Sequence, residues 1–455
     1  MTDDPRRSLP SVDAILSAMP GLPPSGPERT LAAGAVASVL ADARREALSN
    51  GANPSLDEFV ERSVTAFHRE QRPSLVRVIN ASGVILQTNL GRAPLSRAAI
   101  AAIRETAAAS NLEFDLESGQ RGSRHEHVRR VIRQATGASD GLVVNNNAAA
   151  LLMVLQVFAT GREVIVSRGQ AVEIGGGFRI PDILRQSGAR LIEVGTTNRT
   201  YTGDYARAIN DQTAAILRVH TSNFQVVGFT AEPTITELGA LARARGILLL
   251  DDLGSGCLVD TRAYGMAHEP TVQESIAAGA DLALFSGDKL LGGPQCGIIA
   301  GREPQIATLR AHPMARALRA DKMTISALNA TLLSYLRGRE RTEVPVWEML
   351  ARPLPQLRNR ARRWAHAAGD RGTTLRSKTM VGGGSLPGQG VETWCAAIRP
   401  RDGLDALARR LRGASPPVIG RIDEGLLLLD PRTVDPSDDR HIAGAIAAAL
   451  SDVAE

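Results

Sequence analysis

The stretch DLALFSGDKLLGG, residues 281–293, joins an apolar run to a glycine-bounded turn that carries a lysine. Asp281 to Phe285 reads as a strand buried on both faces, because its nearly unbroken apolar character leaves no solvent side. Only three lysines occur in the chain, Lys289, Lys322 and Lys378, although lysine and arginine together number 53. Arginine serves wherever a fixed cation suffices, so a lysine just past a buried strand points to chemistry that arginine cannot perform. An ammonium can lose its proton and attack a carbonyl, whereas a guanidinium stays charged.

Similar short apolar runs lie on both sides of this stretch: GLVV (141–144), EVIVS (163–167), RLIEV (190–194), AAILRV (214–219), ILLLD (247–251) and GIIAG (297–301). Helical patterns such as RIPDILRQSG and TITELGALARARG separate them, and this alternation predicts an α/β fold with a mostly parallel central sheet covered by helices. Residues 1–75 read instead as a small helical domain, with SVDAILSAM, ERTLAAGAVASVLADARREAL and SLDEFVERSVTAF punctuated by Pro, Gly and Asn. Beyond the 76–330 region, residues 331–455 run through a long helical pattern and a proline-rich crossing, VPVWEMLARPLPQLRNRARRWA. They end in a small α+β domain with ETWCAAI and GLLLLD as strands.

The 455 residues, 43% hydrophobic and 22% charged, suit a globular chain of two or three domains. No apolar segment approaches the roughly 20 residues that span a bilayer, and the N-terminus lacks a secretory apolar core, so a cytosolic protein is expected. Cys257, Cys296 and Cys395 show no CxxC spacing, and the eight histidines form no metal-binding pattern. Buried free thiols are expected, and no metal site. The net charge of +5 is unevenly spread: residues 1–75 hold eight arginines against ten acids, while residues 301–363 hold thirteen Arg or Lys against five.

Three strand ends supply complementary parts of one site. VVNNNAAALL puts Asn145, Asn146 and Asn147 between a strand and a helix, where unpaired N–H groups and the helix dipole favour a phosphate. ILLLDDLGSG ends a strand on Asp251 and Asp252, either of which could keep a pyridine nitrogen protonated; Asp252 is preferred, since successive strand residues face opposite ways. Lys289 follows, with Ser286 placed to offer a hydroxyl to the phosphate and Asp288 beside it. A cradle, an acid and a lysine in that order are the parts that pyridoxal 5'-phosphate needs.

The chain is similar to the bacterial selenocysteine synthases, the L-seryl-tRNA(Sec) selenium transferases, over essentially its whole length. The resemblance lies in RVINASGVILQTNLGRAPLS (77–96), NLEFDLESGQRGSRHEHV (111–128), LVVNNNAAALL (142–152), VIVSRGQAVEIGGGFRIPDIL (164–184), VGTTNRT (194–200), VHTSNF (219–224), DDLGSG (251–256), HEPTVQES (268–275), SGDKLLGGPQCGI (286–298) and RALRADKMTISALNATL (316–332). It implies a fold-type I pyridoxal-phosphate enzyme with the cofactor on Lys289. The implied reaction converts seryl-tRNA(Sec) to selenocysteinyl-tRNA(Sec) through an aminoacrylyl intermediate, with selenophosphate as donor. Active-site arginines are implied at Arg92, at Arg121 and Arg124, and at Arg316 and Arg319, with Asp288 as the acid beside the lysine. Which of Arg121 and Arg124 reaches the site stays open.

By the same resemblance, the helical N-terminal domain engages tRNA, and dimers assemble into a decameric ring with active sites between subunits. The negative balance of residues 1–75 confines any tRNA contact there to a local patch such as Arg44 and Arg45. Two other readings keep parts of this pattern: a pyridoxal-phosphate lyase acting on a free amino acid, and a tRNA-binding relative without catalysis. Cys296, seven residues after Lys289, invites a persulfide relay, but a small buried hydrophobe accounts for it.

Overall fold

The computed structural model describes residues 9–50, 54–175 and 177–451. The rest of the expected N-terminal domain, residues 1–8 and 51–53, lies outside this range, as does residue 176 in the 164–184 stretch. The chain forms two compact units, residues 1–77 and 78–455.

In the first unit, helices Val12–Ala18, Pro27–Asn50 and Leu56–Glu70 gather around Ile15, Val36, Leu40 and Phe59. Their starts follow local chemistry. Ser11 accepts from the Ala14 N–H, and Ser55 and Glu58 form a reciprocal capping box.

The second unit is built on a seven-stranded sheet. Its spatial order is Asp140–Val144, Gly297–Gly301, Leu282–Ser286, Leu248–Gly254, Thr213–Val219, Glu163–Ser167 and Arg190–Val194. Gly297–Gly301 runs antiparallel to both neighbours; every other pairing is parallel. Leu282–Ser286 is buried along its length, and its residues alternate between two cores. Leu282 and Leu284 pack with helix Asn147–Ala159 on one face, whereas Ala283 and Phe285 pack with helices Glu126–Thr136 and Lys322–Leu336 on the other.

A second sheet of five strands holds Arg421–Asp423, Leu426–Leu429, Gly390–Ile398, Gly372–Gly382 and Val84–Leu86, in that order. Val84–Leu86 joins it parallel to Gly372–Gly382, so residues near the start of this unit complete a sheet made otherwise from its C-terminal part. No compact unit ends near residue 330: from residue 78 onward, the 76–330 and 331–455 regions expected from sequence lie in one. The proline-rich crossing is helical. Pro345 opens Pro345–Ala351, and Pro355 sits in the first turn of Leu354–Ala367, where a missing N–H costs no hydrogen bond. Gly372–Gly382 is too polar to read as a strand, because most of its residues reach solvent.

Candidate active site

The parallel strands deliver their C-terminal ends to one cavity of about 590 Å³. Asp252 and Lys289 line it together with Asn146, Asn147, Ser286 and Arg92. The antiparallel Gly297–Gly301 strand matters here, because the tight return from Ser286 to Gly297 holds Lys289 in place. Tyr335 reinforces that return: its hydroxyl donates to Leu291 O at 2.8 Å and accepts from the Trp347 indole N–H at 2.6 Å.

Strand register separates the two aspartates. Asp252 pairs with Leu284 and Asp251 with Ala283, which point to opposite cores. Asp252 therefore faces helix Asn147–Ala159 and accepts from Asn147 Nδ2 at 2.9 Å. Asp251 faces away, taking hydrogen bonds from Ser275 Oγ at 2.6 Å and Arg218 Nη1 at 3.0 Å. Burial raises the Asp252 carboxyl to about 6, against the opposing Asn147 hydrogen bond and the nearby Lys289 charge.

Lys289 is 6% exposed, and its ammonium is held below the ordinary lysine range by burial, with nearby Arg92 adding to the effect. Asp252, Asp288 and Glu269 oppose it. A β-carbon at Gly384, where φ is +82°, would lie 2.7 Å from both Cε and Nζ of Lys289. The Gly382–Gly384 turn from the second sheet thus covers the lysine with bare backbone. Asp288 does not line the cavity; it accepts from Arg92 Nη1 at 2.9 Å, while Arg92 does line it. Arg92 has φ +62°, uncommon outside glycine, so its backbone is held in a left-handed turn that aims its side chain toward the lysine.

The three asparagines divide their work. Asn145 N–H donates to Leu318 O at 2.9 Å, and Asn145 does not line the cavity. Asn146 caps the helix, accepting from Ala149 N–H at 2.8 Å. Asn147 holds Asp252, and its buried Oδ1 has no hydrogen-bond partner. A helix start open to the cavity, Ser286 opposite it, a buried acid and a buried lysine fit the phosphate, ring nitrogen and carbonyl of pyridoxal phosphate.

The remaining arginines gather elsewhere. Arg121, Arg124, Arg316 and Arg319 line a second cavity of about 240 Å³ with Arg310 and Glu113. Neither Arg121 nor Arg124 reaches the Lys289 cavity within one chain. Arg124 is bound to Glu113 at 2.7 Å and to Ala320 O at 2.9 Å, whereas Arg121 is largely exposed. Arg319 forms a β-bridge with Val144, the residue just before the asparagine turn. Cys296 is buried, burial pushes its thiol up, and it does not line the Lys289 cavity. Among the described residues, no cluster of His, Cys, Asp and Glu could hold a metal, and no helix is long and apolar enough to cross a membrane.

His220, Ser222, Gln295, Gly383 and Gly384 also line the lysine cavity and escaped the sequence reading. VHTSNF at a strand end was a usable signal for His220 and Ser222. The glycines belong to the second sheet, and only tertiary structure brings them here.

The family model for L-seryl-tRNA selenium transferase matches residues 78–435. The L-seryl-tRNA(Sec) selenium transferase of Moorella thermoacetica is 46% identical over 98% of this chain and 97% of its own. That of Hyphomonas neptunium is 47% identical over 95% and 96%, and that of Geobacter metallireducens 49% over 89% and 88%. Among solved structures, D-glucosaminate-6-phosphate ammonia-lyase superposes with a TM-score of 0.60 at 23% identity, covering 84% of this chain and 97% of that one, a likeness of fold. With near full-length identity of this order and a family match across the whole Lys289 cavity, the chain belongs to the L-seryl-tRNA selenium transferase family.

Proposed function

We propose that this protein converts seryl-tRNA(Sec) to selenocysteinyl-tRNA(Sec) at the Lys289 cavity, with pyridoxal 5'-phosphate as cofactor and selenophosphate as selenium donor. The observation that carries this reading is Lys289 buried in one cavity with Asp252 and the start of helix Asn147–Ala159, in a chain of this family. When bound, pyridoxal phosphate supplies a carbonyl for the seryl amino group and a ring that accepts the electrons left when the α-proton departs.

The chain's residues do the rest. Lys289 holds the cofactor and, with its ammonium depressed by burial, moves the α-proton. Asp252 keeps a proton on the ring nitrogen, and Asn147 fixes its orientation. Backbone N–H groups at the helix start and the Ser286 hydroxyl take the phosphate. Arg92, anchored by Asp288, offers its guanidinium to the incoming anion. Arg316 and Arg319, with Arg121 and Arg124, supply fork-shaped donors suited to the phosphate of the selenium donor. The helical N-terminal unit engages tRNA, and dimers assemble into a decameric ring acting in the cytosol.

The test is substrate choice. Purified holoenzyme should convert seryl-tRNA(Sec) in the presence of selenophosphate and leave free serine untouched. Turnover of free serine with charged tRNA ignored would favour a lyase instead.

A further inference from the structure

Two motifs left without a role, VHTSNF and HEPTVQES, meet beside the cofactor cavity. His220 Nε2 lies 3.3 Å from Glu269 Oε1. Both atoms are buried and neither has a hydrogen-bond partner. Glu269 is 2% exposed, and its backbone N–H is fixed by Thr261 Oγ1 at 2.9 Å. A carboxylate that deep is costly without a cation or donor facing it. The imidazole is the partner within reach.

His220 is also placed by the sheet. Its N–H donates to Asp252 O at 2.9 Å, so it sits at the strand end next to the one that carries the ring acid. Across the cavity from it, beyond the Asp252 strand, lie Ser286 and the start of helix Asn147–Ala159. In pyridoxal phosphate the phosphate arm and the phenolic oxygen flank the carbonyl carbon on opposite ring edges. With the nitrogen at Asp252, the carbonyl at Lys289 and the phosphate at the helix start, the phenolic edge turns toward His220.

We propose that His220 and Glu269 form a proton-holding pair at the phenolic edge of the cofactor, His220 donating a hydrogen bond to the ring oxygen and Glu269 carrying the compensating charge. The pair rests on the pyridoxal-phosphate reading above. His220 touches the cofactor; Glu269 is a positioning residue. Around Lys289 the other charged groups are Asp252, Arg92 and Asp288, the last of which stands behind Arg92. Behind Glu269, burial pushes the Cys257 thiol up to about 12, so it adds no charge.

A donor at that oxygen favours the ionised phenol, so the lysine-bound cofactor gives up its proton at lower pH. The test is the pH titration of visible absorbance in holoenzyme reconstituted with pyridoxal phosphate. H220A and H220L, which remove the donor, should each raise the midpoint by about 1–2 pH units. E269Q should move it the same way by less, and the H220L/E269Q double variant no further than H220L. An unmoved midpoint in both His220 variants, or shifts that add in the double variant, would overturn the pair. The wild type separates this outcome from failure of the parent reading: if it takes up no cofactor, the pyridoxal-phosphate assignment falls; if it does and the midpoint ignores His220, only the pair falls.

Discussion

Asn147 donates a 2.9 Å hydrogen bond to Asp252 across 105 residues of sequence, tying the first turn of a helix to the end of a strand. The bond orients a carboxyl that burial has raised from 3.8 to about 6. Between those values the folded state of the cofactor-free protein binds more protons than the unfolded state, so stability falls as pH rises through this window. The full penalty, about 3 kcal/mol, applies above the folded value. Asp252→Asn should therefore melt higher than wild type without cofactor at alkaline pH, and equally below the unfolded value. Melting curves at the two pH extremes read this directly; activity should be lost throughout.

Lys289→Arg preserves charge and most of the volume but cannot bond a carbonyl carbon. The variant should fold, show no visible absorbance from bound cofactor, and lose activity by more than about 10³-fold. A coloured variant with residual turnover would remove Lys289 from its role.

Arg92 carries both a strained backbone and the Asp288 contact. Arg92→Gly and Arg92→Ala both lose the contact, yet only glycine relaxes the left-handed turn. The glycine variant should be the more stable of the two by about 1 kcal/mol in chemical denaturation, with activity reduced equally in both.

Gly384→Ala would force a methyl group onto Lys289 Cε and Nζ at 2.7 Å. The lysine must swing away from its site. Cofactor affinity, measured by absorbance titration, should fall at least about tenfold, a cost of roughly 1.4 kcal/mol or more, while the far-ultraviolet circular dichroism stays unchanged.

Arg316→Ala and Arg319→Ala test the second cavity. Each should raise the KM for selenophosphate by about tenfold or more, the loss of one charge-assisted donor pair. Cofactor absorbance should not change, because neither residue lines the Lys289 cavity.

Periodicity made the central sheet legible: each strand predicted from an apolar run between residues 141 and 301 is present, with ends moved by three residues at most. Buried parallel strands are apolar on both faces, so their sequence signal is local and strong. Gly372–Gly382 was illegible for the opposite reason, being half solvated. The prolines at 345 and 355 read as breaks because a proline in a first helical turn resembles one that ends a helix.

By itself the sequence determined the fold class, and it marked Lys289, the Asp251–Asp252 pair and the asparagine turn as candidates, since each is written in a short window around a strand end. Tertiary structure alone decided which aspartate faces the cavity, that Asn145 serves Leu318 instead, that a glycine turn covers Lys289, and that four of the five arginines gather in a separate cavity. These depend on register and on pairings between residues far apart in the chain. A one-residue shift along a strand turns every side chain to the other face, and no local window records how distant strands align.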